Sequence, residues 1–279
     1  MPELVHDDLA HLCAGGVSVV LDTAGGGLPT VLYWGPALSE LSSADLVELR
    51  RATQAPFGDS RIDVPERVSV LPTPAEGWVG RPGIAGSSNG QAFSPLFRLL
   101  VTDVVEPSET VATGFRYHAA DPTAELDLAL DVQLTHSGLV RLRAALINQG
   151  SSTYQLDGLV LALPVPTRAD ELFDFTGRHT RERSPQRSPF QVGTHARESR
   201  QGRPGLDSPF LLAAGTTGFG WESGQLWGLH VGWSGNQVSY AERMYNGLKM
   251  IGGGELILPG EVRLERGEGY ESPWLYGVF

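Results

Sequence analysis

Apolar and polar residues alternate with a period of two along most of this chain, the pattern of strands that turn one face to a core. In residues 125–134, Leu126, Leu128, Leu130, Val132 and Leu134 share one face, while Glu125, Asp127, Asp131 and Gln133 take the other. The polar turn Thr135-His136-Ser137-Gly138 follows. The return strand places Val140, Leu142, Ala144 and Leu146 inward and Arg141 and Arg143 outward. With Leu134 opposite Val140, Asp131 faces Arg143 and Gln133 faces Arg141, so burial and charge agree on one register. Exposed pairs of this kind add only about 0.2–1 kcal/mol, which leaves the apolar face to fix the register.

Similar strand pairs recur. Val17 to Leu21, the turn Gly25-Gly26-Gly27 and Val31 to Trp34 predict a hairpin. Leu256 and Leu258, then Pro259-Gly260, then Val262 and Leu264 predict another. In 226–233, Trp227, Leu229, Val231 and Trp233 share a face, and the small residues of the opposite face, Gly228 and Gly232 around His230, predict close packing there. One helix is expected, from Ser43 to Ala52, with Leu46, Val47 and Leu49 as its apolar stripe and Ser42 and Asp45 spaced as a capping box. The Arg- and Pro-rich stretch 176–209 lacks alternation and is expected to form long loops around short strands, with Phe190 and Val192 buried. Many short strands with frequent Gly and Pro turns imply an all-β sandwich of antiparallel sheets with one or two short helices.

Composition narrows the function classes. The 279 residues carry a formal net charge of -11. Such a surface is a poor partner for nucleic acid or an anionic membrane, which need clustered Lys and Arg. Of the 21 basic residues only Lys249 is a lysine. The single cysteine, Cys13, excludes an intrachain disulfide and a cysteine-based zinc site, and is expected as a small buried residue. Acidic His6-Asp7-Asp8 stands where a signal peptide needs an apolar core, and no apolar run approaches the ~20 residues of a spanning helix. A soluble, cytoplasmic protein is the expectation.

Catalytic motifs are sparse. Gly232-Trp233-Ser234-Gly235 has the wrong glycine spacing for a nucleophile elbow. No two of the seven histidines sit at a helical i, i+4 spacing, and neither triple-glycine run opens a helix as a phosphate cradle would. No metal or cofactor is expected. Sugar sites combine an aromatic plate with planar bidentate groups for paired hydroxyls. Trp78 is the candidate plate, with Asp59, Arg61 and Arg81 as substrate-binding polar groups. The alternative is a structural loop in which Trp78 covers the core edge and Asp59 and Arg61 pair locally. The arginines of 178–203 are either solvated loop charge or a docking surface for another domain or subunit.

Short motifs, in order along the chain, resemble a known family. They are Tyr33-Trp34-Gly35; Arg197-Glu198-Ser199-Arg200-Gln201-Gly202-Arg203 closing at Ser208-Pro209-Phe210; Gly224-Gln225-Leu226-Trp227-Gly228; Trp233-Ser234-Gly235-Asn236; and Leu258-Pro259-Gly260-Glu261 followed by Glu271-Ser272-Pro273-Trp274. Together they are similar to the N-terminal domain of glycoside hydrolase family 36, the large bacterial α-galactosidases; Phe57-Gly58-Asp59-Ser60-Arg61 is a looser match. The resemblance implies a β-supersandwich of the galactose-mutarotase-like kind, with residues 1–279 as one N-terminal domain. It implies retaining hydrolysis of terminal α-galactosides such as raffinose and melibiose, without a metal, by aspartates of a (β/α)8 barrel expected to follow and absent from these residues. No catalytic residue carries over. A homo-oligomer is expected of the full-length form, in which a loop acidic residue reaches a neighbouring subunit's pocket. Here Glu48-Leu49-Arg50-Arg51-Ala52 puts Arg50 at that point, a departure from the family pattern. Two rivals remain: a stand-alone carbohydrate-binding sandwich using Trp78 and Arg81, and a sugar mutarotase or epimerase using His179 or His195 with Glu198.

Overall fold

The computed structural model describes residues 4–6, 8–54, 67–206 and 211–279. In chain order the strands are β1 (Leu4–His6), β2 (Leu9–Ala14), β3 (Val17–Asp22) and β4 (Thr30–Pro36), followed by the helix α1 (Ser43–Thr53). Next come β5 (Ile84–Ser87), β6 (Arg98–Val104), β7 (Val111–Asp121), β8 (Leu126–Thr135), β9 (Val140–Asn148), β10 (Tyr154–Leu159) and β11 (Leu161–Pro164). Then follow β12 (Ala169–Arg178), β13 (Arg181–Pro189), β14 (Gly193–Ser199), β15 (Leu212–Thr216) and β16 (Leu226–Gly232). The last are β17 (Gln237–Arg243), β18 (Lys249–Glu255), β19 (Val262–Leu264), β20 (Gly269–Glu271) and β21 (Trp274–Val278).

One large sheet runs β13-β12-β15-β16-β21-β9-β8-β7-β6, with β20 beside β9. Smaller sheets run β1-β2-β3-β4, β11-β18-β17-β14 and β19-β10-β5. All the pairings among the described strands are antiparallel, as the alternating pattern requires. The smaller sheets lie across the inner face of the large one, β2 over β7 and β8, and β17 and β18 over β15 and β16. A single apolar cluster joins them, from Leu12 and Val19 through Leu130 and Leu142 to Trp227 and Leu275. Trp227 sits at its centre with its Nε1 donating to the Trp34 carbonyl at 3.0 Å.

The predicted β8–β9 register is the one present: Leu134 opposite Val140, Asp131 opposite Arg143, Gln133 opposite Arg141. Its second face is nevertheless not open. Asp131 is 4% exposed, because Arg116 from β7 grips both its oxygens at 2.9 Å. Trp274 from β21 lies under the guanidinium groups of Arg141 and Arg143, 4.3 and 4.4 Å from its ring centre. The β3–β4 hairpin is also present. So is the helix, whose Ser42 and Asp45 bond each other's backbone as a capping box, and whose Leu46 packs on Leu9 and Val20.

Five expectations need correction. Val262–Leu264 pairs with β10, not with residues 256–258; Leu256 instead donates its N–H to the Asn236 carbonyl. Cys13 is exposed, since α1 covers the Leu9 end of that face of β2 and not the Cys13 end. The stretch 176–209 is not mainly loop: β12 and β13 form a long hairpin. Alternation is missing there because nearly every residue of β13 is exposed, and its Pro185 and Pro189 suit an edge strand. Phe190 is buried, but Val192 is 64% exposed. Trp233 also lies beyond the end of β16 and is half-exposed.

The β16 glycines meet side chains of β21, the neighbouring strand of their own sheet. A Cβ on Gly228 would meet Val278 at 2.8 Å, and one on Gly232 would meet Tyr276 at 2.9 Å. Gly253, inside β18, is tighter still: its Cβ would lie 2.6 Å from the Val238 carbonyl oxygen and 2.8 Å from the Val231 side chain. Gly253→Ala is therefore expected to destabilise the fold by about 1–3 kcal/mol. A urea midpoint equal to the parent's would contradict this. No helix among the described residues is long and apolar enough to cross a membrane.

Candidate functional site

Where β12 and β13 of the large sheet meet β14 of the smaller one, titratable side chains from two layers converge. Residues two apart on a strand share a face, so His195 and Arg197 of β14 both reach Asp174 of β12. Asp174 Oδ2 accepts from His195 Nε2 at 2.7 Å and from Arg197 Nε at 2.6 Å, and Oδ1 accepts from Arg197 Nη2 at 3.2 Å. Gln186, paired with Asp174 across β12 and β13, accepts from Arg197 as well. Asp174 is 4% exposed. Burial alone would raise its pKa; the bonds from His195 and Arg197 outweigh that and hold it below the ordinary carboxyl value.

A cleft of about 560 Å³ opens beside this cluster. Its floor is apolar, formed by Leu172, Phe190 and Ala241, and its walls carry Gln186, Ser188, Gln191, Thr194 and His195. Volume and mixed lining are those of a small-molecule site.

Of the residues expected from sequence to bind sugar, Trp78 and Arg81 do not line this cleft. Trp78 is 2% exposed and offers no open ring face for a sugar. Its Nε1 donates to the Arg81 carbonyl at 2.9 Å. The Arg81 backbone N–H donates to Glu242 Oε2 at 2.8 Å, and its guanidinium lies 5.2 Å from the centre of the Tyr240 ring. The other oxygen of Glu242 accepts from Thr194 Oγ1 at 2.7 Å, so the Trp78 loop braces one wall of the cleft. Asp59 and Arg61 lie outside the described residues. Arg50 is a brace: its guanidinium bridges Asp8 at 2.7 Å and Asp22 at 2.8 Å, tying α1 to β3.

The His–Glu pairs considered from sequence do not form in one cleft. His195 and Glu198 are three apart on β14 and face opposite ways, and Glu198 bonds Arg200 at 2.6 Å. His179 stands exposed at the β12–β13 turn beside Glu182. Sequence reasoning misses Asp174 because it belongs to another sheet; the only hint along the chain is the i, i+2 spacing of His195 and Arg197. Among the described residues no three His, Cys, Asp or Glu side chains gather as a metal site would need.

The sequence profile of the glycosyl hydrolase family 36 N-terminal domain matches residues 27–265. The chain belongs to that family. An α-galactosidase of Escherichia coli is 32% identical to this family 36 N-terminal domain over 246 residues, 88% of the chain and 33% of that enzyme. The α-galactosidase of Lactobacillus brevis superposes with a TM-score of 0.85 at 15% identity, over 99% of the chain and 40% of its own. A variant of the family 36 α-galactosidase AgaA of Geobacillus stearothermophilus, in complex with raffinose, does so with a TM-score of 0.84 at 18% identity, over 96% and 40%. The β-supersandwich is thus the shared fold, and the chain spans about a third of the curated relative it matches.

Two of the family motifs meet in this N-terminal domain. Gly202, in the run after β14, donates its N–H to Asn236 Oδ1 at 2.8 Å. Gly202 adopts a φ of 73°, which a side chain would strain. Ser199 Oγ closes the same turn on the Arg203 carbonyl at 2.5 Å. The Arg-x-x-Arg-Gln-Gly and Trp-Ser-Gly-Asn signatures therefore build one corner.

Proposed function

We propose that this chain is the N-terminal part of a retaining α-galactosidase that removes terminal α-D-galactose from substrates such as raffinose and melibiose. Residues 1–279 form one domain that supports a catalytic barrel, helps to shape its pocket and contributes to a cytoplasmic homo-oligomer. The observation that carries the reading is the family match over residues 27–265, joined to a curated α-galactosidase of which the matched residues make up 33%. Retention needs two carboxylates about 5–5.5 Å apart across the scissile bond. The cleft beside β14 holds one, Asp174, and both its oxygens are taken by His195 and Arg197.

The chain alone is therefore expected to be inactive. Purified free of host enzyme and given an aryl α-galactoside, it should release aglycone no faster than buffer, while the gene read past the codon for Phe279 should run into a barrel with aspartates at its strand ends. Hydrolysis at an ordinary enzymatic rate by residues 1–279 would overturn the reading.

A further inference from the structure

The geometry points to a carbohydrate site in this chain, the cleft between β13 and β14, which holds a neutral mono- or disaccharide on His195. Its lining residues all belong to this chain, so the proposal does not depend on the hydrolase reading.

Three observations carry it. The first is the lining. An apolar floor of Leu172, Phe190 and Ala241 under walls of Gln186, Ser188, Gln191 and Thr194 matches a sugar, whose ring carbons are apolar and whose rim is hydroxyl. The space, about 560 Å³, lies within the range of roughly 300–1,000 Å³ typical of such sites.

The second is charge. Among the described residues, every ionised group bordering the cleft has a partner inside the protein. Asp174 is neutralised by Arg197. Arg187 is turned away to Glu171 and the Phe219 carbonyl. Lys249, behind Phe190, is held by Asp170 and the carbonyls of Thr167 and Ala169. Glu242 is occupied by Thr194 and the Arg81 N–H. A charged ligand would find no uncommitted counter-charge there, whereas a neutral polyol needs none.

The third is the state of His195. Asp174 is held ionised and only accepts, so the proton on Nε2 belongs to the bond with Asp174. In the neutral ring Nδ1 is then left as an acceptor. Nδ1 makes no hydrogen bond among the described residues, and the side chain is 35% exposed at the cleft. A ligand hydroxyl is the natural donor to it, and Asp174 and Arg197 fix the ring for that contact. His195 is the residue that touches the sugar; Asp174 positions it.

The test uses this chain alone, titrated by calorimetry with melibiose, and with galacturonate and galactosamine as charged counterparts, while the ring resonances of His195 are followed by NMR. The expected result is saturable binding of melibiose, with the His195 ring signals shifting as the site fills. Neither charged sugar should bind more tightly. His195→Ala should weaken melibiose roughly tenfold, the loss of one ligand hydrogen bond. If that variant does not fold, the ring shifts in the parent decide the matter. Absence of binding, binding that leaves the His195 signals and the His195→Ala affinity unchanged, or preference for a charged sugar would each overturn the proposal. A failure here leaves the hydrolysis assay untouched, and the reverse also holds.

Discussion

Replacing Trp227 with alanine should be the most damaging single substitution at this core, lowering stability by about 4 kcal/mol. The indole is fully buried. Its ring packs 5.2 Å from that of Phe279, and the Arg168 guanidinium lies 5.1 Å from its centre. Its Nε1 serves the Trp34 carbonyl across the two layers. Truncation would empty the largest side-chain volume in the core and leave a buried carbonyl unpaired, two costs of separate origin. For a chain of this size the loss corresponds to a fall in Tm of roughly 10 °C. Trp227→Phe keeps most of the volume and should cost about 1–2 kcal/mol, the share of the hydrogen bond and of the missing ring. If both variants melted at the same temperature, the lost hydrogen bond would outweigh the cavity.

Asp174→Asn is the second large effect, and it depends on pH. The substitution removes the charge that Arg197 and His195 share. A broken buried pair typically costs about 3–5 kcal/mol; Arg197 is partly exposed and keeps Gln186, so about 2 kcal/mol is expected near neutrality. The folded pKa of Asp174 is lowered. Its stabilisation is therefore complete above the ordinary value of 3.8 and is lost as pH falls through the folded value. The gap between parent and variant should stay flat from neutral pH downward and close below about pH 4. Glu76, half-buried beside Ser69, acts with the opposite sign: its pKa is raised, chiefly by burial, so its unfavourable contribution grows as pH rises above the ordinary value of 4.5. Parent and variant share Glu76, so comparing their stabilities cancels it. A gap that persisted at pH 3 would show that the carboxylate's charge is not what matters.

What can be read from the sequence follows the range of the forces involved. The β8–β9 register is legible because its three constraints, the Leu face, the turn and the Asp131–Arg143 charge pair, all lie within one hairpin. The capping box of α1 is legible for the same reason. The partner of Val262–Leu264 is not, because β10 lies about a hundred residues earlier and nothing local distinguishes it from residues 256–258. The hairpin of β12 and β13 is hidden because an edge exposed on both faces has no burial to write into its alternation. The candidate site shows the same limit. His195 and Arg197 are visible as basic residues, but the carboxylate that organises them comes from another sheet. Trp78 has the chemistry of a sugar plate, but its burial depends on β17 and β18, which share its cluster.

The place of β21 bears on how the chain acquires its shape during synthesis. This strand lies between β16 and β9 in the interior of the large sheet, with Leu275 opposite Leu142. Its partner on β9 emerges from the ribosome about 130 residues before it, and at ~5–20 residues per second it waits several seconds or more. During that wait the β6–β9 meander and the β12–β16 group are two half-sheets, each with an open apolar edge where β21 will insert. The nascent chain thus passes through a stage in which its most adhesive edges are free, and a holdase chaperone would find its target there.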